Sequence, residues 1–511
     1  MPLIIALILL NLLSNLEYCN SVDLPLYELT IAHINDLHAR FDETNEKSGK
    51  CVPARAPCIA GFARVATTIK KLLNDNKNSI YLNAGDNYQG TLWYSLLKWN
   101  VTLDLMNRLV PAAMALGNHE FDDAISGLIP YIKGLKSPTV CANILTEDEP
   151  ELHKLNKIKP YIVIEKSGRK IGIIGVSFDK IHDISSTEKV RFTSSIDAVK
   201  KYSEMLKNQG VNIVIVLSHC GLDLDKEIAD KAGENIDIII GGHSHAFLYT
   251  GSNPPSKDQI EGDYPIVVEH GRGHKVLITQ ALAYGKYVGN IKVFFDQKGE
   301  VQKWEGQPIY QSSKIRVDAG ISKAMKPWRQ EVKRLGSTQI GKTEISLNRE
   351  HCRKQECTLG SLVADAFQNE YQTETLTPLA IIQAGYFRNP IEAGDITYGD
   401  ALESIPYGSS VDLIEISGND LREALENSVK KDHEGRLNVA QVAGITVEYD
   451  MSKPEGSRVI QCQVMSEENG NYVSRPLRNN KSYKVVAPSF IIGGGDKFTS
   501  LTNGKSRHVG R

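Results

Sequence analysis

The chain has 511 residues, which exceeds what one hydrophobic core usually supports, so we expect two domains. Lysine and arginine number 59 and aspartate and glutamate 61, and this near-neutral balance argues against a surface devoted to nucleic acid or another polyanion. Hydrophobic residues make up 41% of the chain and charged residues 23%, which is typical of a globular protein.

Residues 1–21 resemble a signal peptide. Leu3 to Leu13 is almost wholly aliphatic, which suits a signal-peptide hydrophobic region and is too short to span a bilayer. We expect cleavage near Ser21 and secretion; a buried N-terminal strand or helix is the alternative. No other stretch approaches a membrane span and the chain ends in polar residues, so no membrane anchor is expected. Asn100 and Asn480 begin glycosylation sequons, which agrees with secretion.

Seven cysteines follow the predicted signal peptide. Cys51 and Cys58, and likewise Cys352 and Cys357, are close enough in sequence to close small disulfide loops in an oxidising compartment. Three others remain, and because they cannot all pair, at least one thiol stays free. These three are Cys141, Cys220 and Cys462.

From residue 28 to about 295, short apolar runs alternate with helical segments over 61–73 and 195–209. Strands are predicted at LTIAHI, SIYLNAG, AAMALG, KIGIIGV, VNIVIVLSH and IDIIIGG. Strands that are apolar throughout are covered on both faces, which indicates a layered α/β domain. The runs PIVVEH, KVLITQALA and YVGNIKVFF follow with little helix between them, and they predict antiparallel strands completing that sheet.

Residues 313–337 are charged and helix-prone, and Gly336 suits a helix C-terminus, so we expect a connecting helix there. A second, mixed domain is predicted from Gln339 onwards. Its helices are expected over 359–371 and 419–430, and its strands at LAIIQ, VDLIEIS, GITVEYD and YKVVAP.

Nearly every predicted strand of the first domain ends in Asp, Asn or His. These residues are Asp36 and His38, Asp86, Asn118 and His119, His219, and His243 and His245. Because strand carboxyl ends converge on one crevice in an open α/β sheet, the side chains should meet. Carboxylate, amide and imidazole donors suit Zn²⁺, Mn²⁺ or similar ions. A single polar residue at a strand end is usually a turn or core residue, and we expect His33 to be a core residue. Five successive strands that all end in such residues are hard to explain by turns or core packing.

The motifs DxH, GDN, GNHE and GHSH resemble the calcineurin-like metallophosphoesterase pattern. The fuller forms HxNDxHAR, NAGDNYQG, ALGNHEFD and GGHSHxFLYTG resemble the 5'-nucleotidase family, which includes ecto-5'-nucleotidase and salivary apyrases. The resemblance implies a four-layer α/β metallophosphoesterase sandwich with a dimetal site over 24–312 and a connecting helix or hinge over 313–337. It further implies an α+β nucleotide-binding domain over 338–511, short at its carboxyl end.

The same resemblance assigns the strand-end residues to two divalent ions, with Zn, Mn, Mg and Ca as candidates. Asp36, His38 and His245 would hold the first ion, Asn118, His219 and His243 the second, and Asp86 would bridge both. Two such ions polarise a phosphoryl group and lower the pKa of bound water. His119 and Asp122 resemble the family's catalytic pair, in which the aspartate orients the histidine.

In the second domain the resemblance implies a substrate site. The first of its residues, Arg353, lies in the disulfide-bounded loop 352–357. Phosphate contacts are implied for Arg353 and Arg388, substrate binding for Gln383, base stacking for Tyr407 and Phe490, and ribose binding for Asp496. A guanidinium suits phosphate because it binds two oxygens at once. The chain departs from the family pattern at four residues, so nucleotide preference stays open. They are Gln383, Tyr386, Gly493 and Lys497.

The leading interpretation is a secreted apyrase that removes terminal phosphates from ATP and ADP. A 5'-nucleotidase cleaving AMP to adenosine uses the same ligands and stays open. A non-enzymatic nucleotide or receptor binder is disfavoured because all seven ligands are retained. A nuclease or sugar-nucleotide hydrolase is disfavoured by the weak basic character and the base-stacking motifs. The resemblance favours an extracellular location, with saliva as one candidate, and allows a monomer or a homodimer.

Overall fold

The computed structural model describes residues 25–46, 48–49, 51, 53–54, 57–373, 376–405, 410–431, 435–468 and 471–509. The predicted signal peptide and Tyr407 therefore lie outside the described residues. Within the described part of the chain, no helix has the length and apolar character needed to cross a bilayer.

The strands of the first domain are short and mostly buried. They are β1 (Tyr27–Ile34), β2 (Ser79–Asn83), β3 (Ala113–Ala115), β4 (Thr139–Val140), β5 (Ile144–Leu145), β6 (Ile158–Lys159), β7 (Tyr161–Lys166), β8 (Arg169–Ser177), β9 (Arg191–Phe192), β10 (Ile213–His219), β11 (Ile238–Ile240), β12 (Ile266–Glu269), β13 (Lys275–Thr279), β14 (Tyr287–Phe295), β15 (Val301–Glu305) and β16 (Ile309–Tyr310). Its helices are α1 (Phe62–Asp75), α2 (Leu92–Met106), α3 (Ala124–Gly134), α4 (Pro150–Leu155), α5 (Ser195–Asn208) and α6 (Leu222–Ala232).

These strands form two large sheets. The first has the order β15-β14-β1-β2-β3-β4-β6, with β16 on β14, and the second has the order β12-β13-β11-β10-β8-β7. In the first sheet β1 pairs in parallel with β2 and antiparallel with β14. In the second, β8, β10, β11 and β13 are parallel, while β7 and β12 are antiparallel edges.

The two sheets pack face to face, with helices on both outer sides. Along β1, Leu29 and Ile31 enter a core shared with the second sheet, whereas Ala32 and Ile34 enter a core shared with α1, α2 and α3. This alternation follows from the two-residue period of a strand. Helices α5 and α6 cover the second sheet, for example through Val199. The four-layer α/β sandwich expected from the resemblance is therefore present.

The prediction that the last three apolar runs complete one sheet was wrong. Strands β12 and β13 belong to the second sheet, β14 belongs to the first, and β13 runs parallel to β11. Strands in two facing sheets and strands in one covered sheet are both buried on two faces. The apolar pattern therefore could not distinguish the two arrangements.

A long helix, α7 (Ala319–Gly336), connects the two domains. Asp318 caps its start by accepting a hydrogen bond from the backbone N–H of Ile321 at 2.8 Å. The indole N–H of Trp328 donates to Asp104 of α2 at 2.8 Å, so the middle of α7 is tied to the first domain. Its end, Gly336, lies against Gly399 of the second domain.

The second domain is mixed, as predicted, and its core lies on both faces of a five-stranded sheet. Its elements are β17 (Gln339–Thr343), α8 (Thr358–Tyr371), β18 (Leu379–Ile382), β19 (Gly394–Thr397), α9 (Tyr398–Ser404), β20 (Val411–Ser417), α10 (Gly418–Ser428), β21 (Gln441–Ala443), β22 (Ile445–Tyr449), β23 (Val459–Glu468), β24 (Asn471–Pro476), β25 (Ser482–Pro488), α11 (Ser489–Ile492) and β26 (Lys505–Val509). The main sheet has the order β21-β18-β25-β20-β26, and β22-β23-β24 and β17-β19 form smaller sheets.

Both expected disulfides are present, joining Cys51 to Cys58 and Cys352 to Cys357. Their Cα–Cα distances of 5.6 and 5.0 Å are normal for a disulfide. The other three cysteines of the described chain are free and buried, so none of these thiols pairs. They are Cys141, Cys220 and Cys462.

Candidate active site

The polar strand ends of the first domain meet at the carboxyl edges of both sheets. The loops after β1, β2 and β3 come from the first sheet, and those after β10 and β11 come from the second. Three groups of side chains there have ligand atoms within 4.8 Å of one another. They are Asp36, His38 and His245; His38, Asp86 and His119; and Asp86, His219 and His243.

Asp36 is the centre of the first group. Its carboxylate lies 3.3 Å from Nε2 of His245 and 3.9 Å from Nε2 of His38. Asn35 donates to the same carboxylate at 2.8 Å, and the backbone N–H of His243 donates to it at 3.0 Å. Asp36 is fully buried, so these contacts fix the direction of its oxygens.

Asp86 lies between the two sets of predicted ligands. Its Oδ2 atom is 3.2 Å from Nε2 of His219 and 3.8 Å from Nε2 of His38. On the far side, Nδ1 of His243 lies 2.9 Å from Oδ1 of Asn118. All seven predicted metal-binding residues are therefore brought into one cluster, with Asp86 in the position expected of a bridging ligand.

Five of these residues have left-handed backbone conformations. The φ angles are 50° for Asp36 and His38, 54° for Asp86, 75° for His243 and 55° for His245. Residues other than glycine rarely adopt φ near +55°, and such strain gathers at functional sites. The strand ends are thus shaped to direct side chains into the crevice rather than to form ordinary turns.

Glycines allow the loops that carry these ligands to approach closely. Gly85 has φ 90°, and a Cβ there would lie 2.6 Å from the backbone nitrogen of Gly117. A Cβ on Gly117 would overlap the Asp86 carboxylate. The GDN and GNHE motifs therefore need glycine because the two loops touch at the predicted bridging ligand.

Burial and mutual charge set the ionisation of the cluster. Burial alone would raise the pKa of Asp36, but the charges of His245 and His219 lower it to about 2. Burial lowers the pKa of His243 to about 4 and that of His38 well below its usual value. For His219, burial lowers the pKa but the carboxylates of Asp86 and Asp36 raise it to about 10. Asp36, His38 and His243 are thus in the protonation states that metal ligands need, and a cation would have to displace the proton of His219.

The side chain of His219 also fits a bound cation. Its Nδ1 atom lies 2.7 Å from the carbonyl oxygen of Ala84, so in the neutral ring this nitrogen donates a proton and Nε2 keeps its lone pair. The Nε2 atom is fully buried and has no hydrogen-bond partner among the described residues. A divalent ion between His219 and the carboxylates would satisfy that atom, so the residues fit the group.

The predicted catalytic pair is formed. Nδ1 of His119 lies 2.7 Å from Oδ2 of Asp122. Two residues not predicted from the sequence hold the aspartate: Gln89 donates to it at 3.2 Å and Ser185 at 3.1 Å. Burial lowers the pKa of His119, but the carboxylates of Asp122 and Asp86 raise it to about 9.

Glu120 is a further residue that sequence reasoning missed. It is fully buried and accepts hydrogen bonds from the backbone N–H groups of Asp86, Asn87 and Gly117, at 2.9, 2.7 and 2.7 Å. It thereby clamps together the loops after β2 and β3. Its place in the GNHE motif was the available signal, but its partners lie 33 or more residues away, apart from Gly117. His33, in contrast, is buried away from the cluster and bonds Tyr264 at 2.9 Å.

Two of the predicted substrate residues of the second domain lie close together. Arg353 and Asp496 lie around Gly385, and Asn438 joins them by donating to Asp496 at 2.7 Å and accepting from the N–H of Gly385 at 2.8 Å. Asn438 was not predicted. Phe490 is half-buried and packs beside Gly495.

Arg388 lies at the boundary with the first domain. Burial raises the pKa of Tyr284, and the positive charges of Arg40 and Arg388 oppose that rise. The ring of Tyr284 is in turn 5.5 Å from that of His38 and 5.2 Å from that of His245, between ring centroids. Arg388 therefore lies close enough to Tyr284, beside the metal-ligand cluster, for its charge to act there.

Gln383 and Tyr386 are both buried. Gln383 is buried, and its Oε1 atom has no hydrogen-bond partner within the described residues. Tyr386 is 4% exposed and packs edge-on against Phe367 and Phe387. The bulky tyrosine is thus a core residue in this structure.

Comparison with known proteins matches both domains. Residues 29–247 match the family of calcineurin-like phosphoesterases, and residues 339–503 match the C-terminal domain of 5'-nucleotidases. The apyrase of Anopheles gambiae is 50% identical over 496 residues, which cover 95% of this chain and 86% of the relative. The chain belongs to the 5'-nucleotidase family.

Other members of the 5'-nucleotidase family agree with this assignment. The apyrase of Aedes aegypti is 48% identical, covering 95% of this chain and 88% of its own, and the 5'-nucleotidase of Bos taurus is 37% identical, covering 94% and 86%. The crystal structure of a 5'-nucleotidase precursor from Thermus thermophilus has a TM-score of 0.77, 32% identity and 94% coverage of both chains. As a member of this family, the chain is a metal-dependent nucleotide phosphohydrolase.

Proposed function

We propose that the chain is a secreted apyrase that hydrolyses the terminal phosphates of ATP and ADP. The observation that carries this proposal is the single cluster formed by Asp36, Asp86 and the surrounding histidines next to the His119–Asp122 pair. Two mosquito proteins named apyrase are 50% and 48% identical to this chain, and this similarity supports the choice of substrate.

In the proposed site the seven ligands hold two divalent ions. Asp36, His38 and His245 hold one, Asn118, His219 and His243 hold the other, and Asp86 contacts both. The ions would supply a polarised phosphoryl group and a bound water of lowered pKa. Hard carboxylate and borderline imidazole donors suit Zn²⁺, Mn²⁺, Mg²⁺ or Ca²⁺ in different degrees, so metal identity needs measurement.

His119 is the proposed residue that faces the charge developing on the phosphoryl group. Asp122 fixes the direction of its ring through the Nδ1 contact, which leaves Nε2 to donate a proton or hydrogen bond. Gln89 and Ser185 hold Asp122 in turn. The catalytic histidine is thus oriented by three residues from three separate segments.

The second domain binds the rest of the nucleotide in this proposal. Arg353 and Arg388 contact phosphate, Gln383 is a further substrate-binding residue, Phe490 and Tyr407 stack on the base, and Asp496 reaches the ribose. Base stacking on an aromatic ring contributes about 1–3 kcal/mol. The domain boundaries that go with this division are 24–312 and 338–511. The segment 313–337 is the proposed hinge, with movement at its end because the middle of α7 is tied to the first domain.

Secretion belongs to the same proposal. The two disulfides favour an oxidising compartment. Asn100 and Asn480 are exposed, as a glycan acceptor must be. The predicted signal peptide would direct the chain out of the cell.

A 5'-nucleotidase that cleaves AMP is the second candidate, favoured by the 37% identity to the bovine enzyme of that name. Phosphate release from ATP, ADP and AMP by the purified protein separates the two, with Ca²⁺, Mg²⁺, Mn²⁺ or Zn²⁺ added in parallel after chelation. An apyrase releases phosphate from ATP and ADP faster than from AMP. The reverse order would replace the first proposal by the second, and no release with any metal would overturn both.

A further inference from the structure

Arg40 lies at the edge of the metal-ligand cluster, two residues after His38. Its Nε atom donates to the carbonyl of Ser48 at 3.1 Å, and one terminal nitrogen donates to the carbonyl of Gly90. The chain at Gly90 passes so close that a Cβ there would lie 3.2 Å from the Arg40 guanidinium and 2.8 Å from the carbonyl of His38. The direction of the guanidinium is therefore fixed before any ligand binds.

The charge of Arg40 is poorly compensated by the protein. The side chain is largely buried, yet among the described residues no carboxylate forms an ion pair with it. Its guanidinium carbon lies 5.0 Å from the ring centre of Tyr284, a favourable but neutral neighbour. Arg388 and Glu403 of the second domain lie close enough for their charges to act on Arg40. Buried cations normally have an anionic partner.

An open space lies beside this group. Arg40 lines a cavity of about 790 Å³ between the domains, together with Gly90 and Thr91 of the first domain and Asn389 and Glu403 of the second. Ligand cavities for small molecules commonly have about 300–1,000 Å³. The cavity reaches Arg40 from the side of the second domain. Its other charged lining residues are Arg329, Lys333, Asp42, Glu43, Asp400 and Glu403.

We propose that Arg40, with Arg388 of the second domain near it, binds the phosphate next to the one that is cleaved. The ligand class is a nucleoside di- or triphosphate, because AMP and simple phosphate monoesters have no second phosphate to offer. The inference rests on the proposed function and adds a residue that distinguishes polyphosphates from monophosphates. A guanidinium bound to two carbonyls keeps donors for such an oxygen, and its charge strengthens the contact.

The alternative is that Arg40 only ties the loop around Ser48 to Gly90. In that case its replacement would weaken hydrolysis of all substrates alike. Arg64 offers a matched control, since it is a buried arginine of the same domain that bonds the carbonyls of Ile315 and Ala60 and pairs with Glu43.

The test measures kcat/KM of Arg40→Met and Arg64→Met for ATP, ADP, AMP and p-nitrophenyl phosphate. Loss of one charge-assisted hydrogen bond predicts that Arg40→Met lowers the values for ATP and ADP about tenfold to a hundredfold. The values for AMP and p-nitrophenyl phosphate should change by less than about threefold. Arg64→Met should leave the ratios between substrates as in the wild type.

If Arg40→Met does not fold, Arg40→Lys serves, because it keeps the charge and loses the planar fork. It should lower hydrolysis of ATP and ADP selectively, to a smaller extent. A parallel loss for all four substrates in the variant that folds would overturn the inference. Wild-type protein that hydrolyses neither ATP nor ADP would overturn the proposed function itself, so the two failures are distinguishable.

Discussion

His119 and Asp122 are in contact through a short hydrogen bond of 2.7 Å between Nδ1 and Oδ2. The two residues belong to one turn of chain after β3, so their pairing is local, whereas the phosphate they act on must come from outside. This contact makes the imidazole a rigid part of the site.

Replacement of His119 by alanine should therefore affect the chemical step. A positioned proton donor commonly contributes about 10²–10⁴-fold to the rate, so kcat should fall by at least about a hundredfold with a smaller change in KM. Asp123→Asn is the control, because the neighbouring aspartate bonds Tyr94 and Lys98 instead. Steady-state kinetics with ATP measure both. A fall in kcat of less than threefold for His119→Ala would contradict the assigned role.

Glu120→Gln should disturb the metal-ligand loops. The amide group would turn a donor towards backbone N–H groups of Asp86, Asn87 or Gly117, where the carboxylate now accepts. We expect a loss of about 2–3 kcal/mol in unfolding free energy together with at least a tenfold loss of metal affinity.

A matched control exists for that substitution in the second domain. Glu426 likewise accepts from two backbone N–H groups, those of Arg458 and Val459, at 2.9 and 2.7 Å. Glu426→Gln should lower stability but leave metal binding intact. Calorimetric titration with Mn²⁺ and thermal unfolding of both variants distinguish the two effects. Equal metal affinity in the two variants would show that Glu120 has no positioning role.

Phe490→Ala should mainly raise KM. The half-buried ring is proposed to stack on the base in the ground state, and the loss of stacking on one ring is about 1–3 kcal/mol, or about fivefold to a hundredfold in KM. Hydrolysis of p-nitrophenyl phosphate, which has no nucleobase, should change little. If Phe490→Ala lowered kcat to the same degree for both substrates, the stacking role would be wrong.

His274 should make stability depend on pH. Its Nδ1 atom faces Glu300 at 2.7 Å and its Nε2 atom faces the carbonyls of Gly233 and Ile236 at 2.9 Å, so both nitrogens meet acceptors and the ring must carry two protons. Burial lowers the pKa of His274, but the hydrogen bond to Glu300, the negative charges of Asp237 and Glu300 and the hydrogen bond to Gly233 together raise it above its usual value.

A raised histidine pKa stabilises the fold fully below the unfolded value, and this stabilisation is lost as pH rises through the folded value. The difference in Tm between wild type and His274→Gln should therefore be largest near pH 6 and shrink above it. His270→Gln is the control, since Nε2 of His270 lies against the carbonyl of Ala229 rather than an acidic side chain. A difference in Tm that stays constant from pH 6 to 9 would contradict the prediction.

The strands and the ligands could be predicted from sequence for the same reason. The buried strands are short runs rich in apolar residues, and the ligands come where these runs stop: His219 is the last residue of β10, and Asp86 comes shortly after the end of β2. Residues such as Glu120, Gln89 and Asn438 could not be predicted, because their roles depend on partners brought close only by the tertiary fold. The division into two sheets could not be predicted from sequence, because strands in two facing sheets and strands in one covered sheet are buried equally.

Strand β1 is the first strand of the chain to be synthesised, yet one of its two neighbours is β14, where Phe295 pairs with Tyr27. On the ribosome, that edge of β1 stays open until about residue 300 has emerged. Asp36 and His38 follow β1, so the metal-ligand cluster that contains them cannot form before β14 has paired with β1. The first domain must therefore complete its fold late, which under the proposed secretion would keep the growing chain open for passage through a translocation pore.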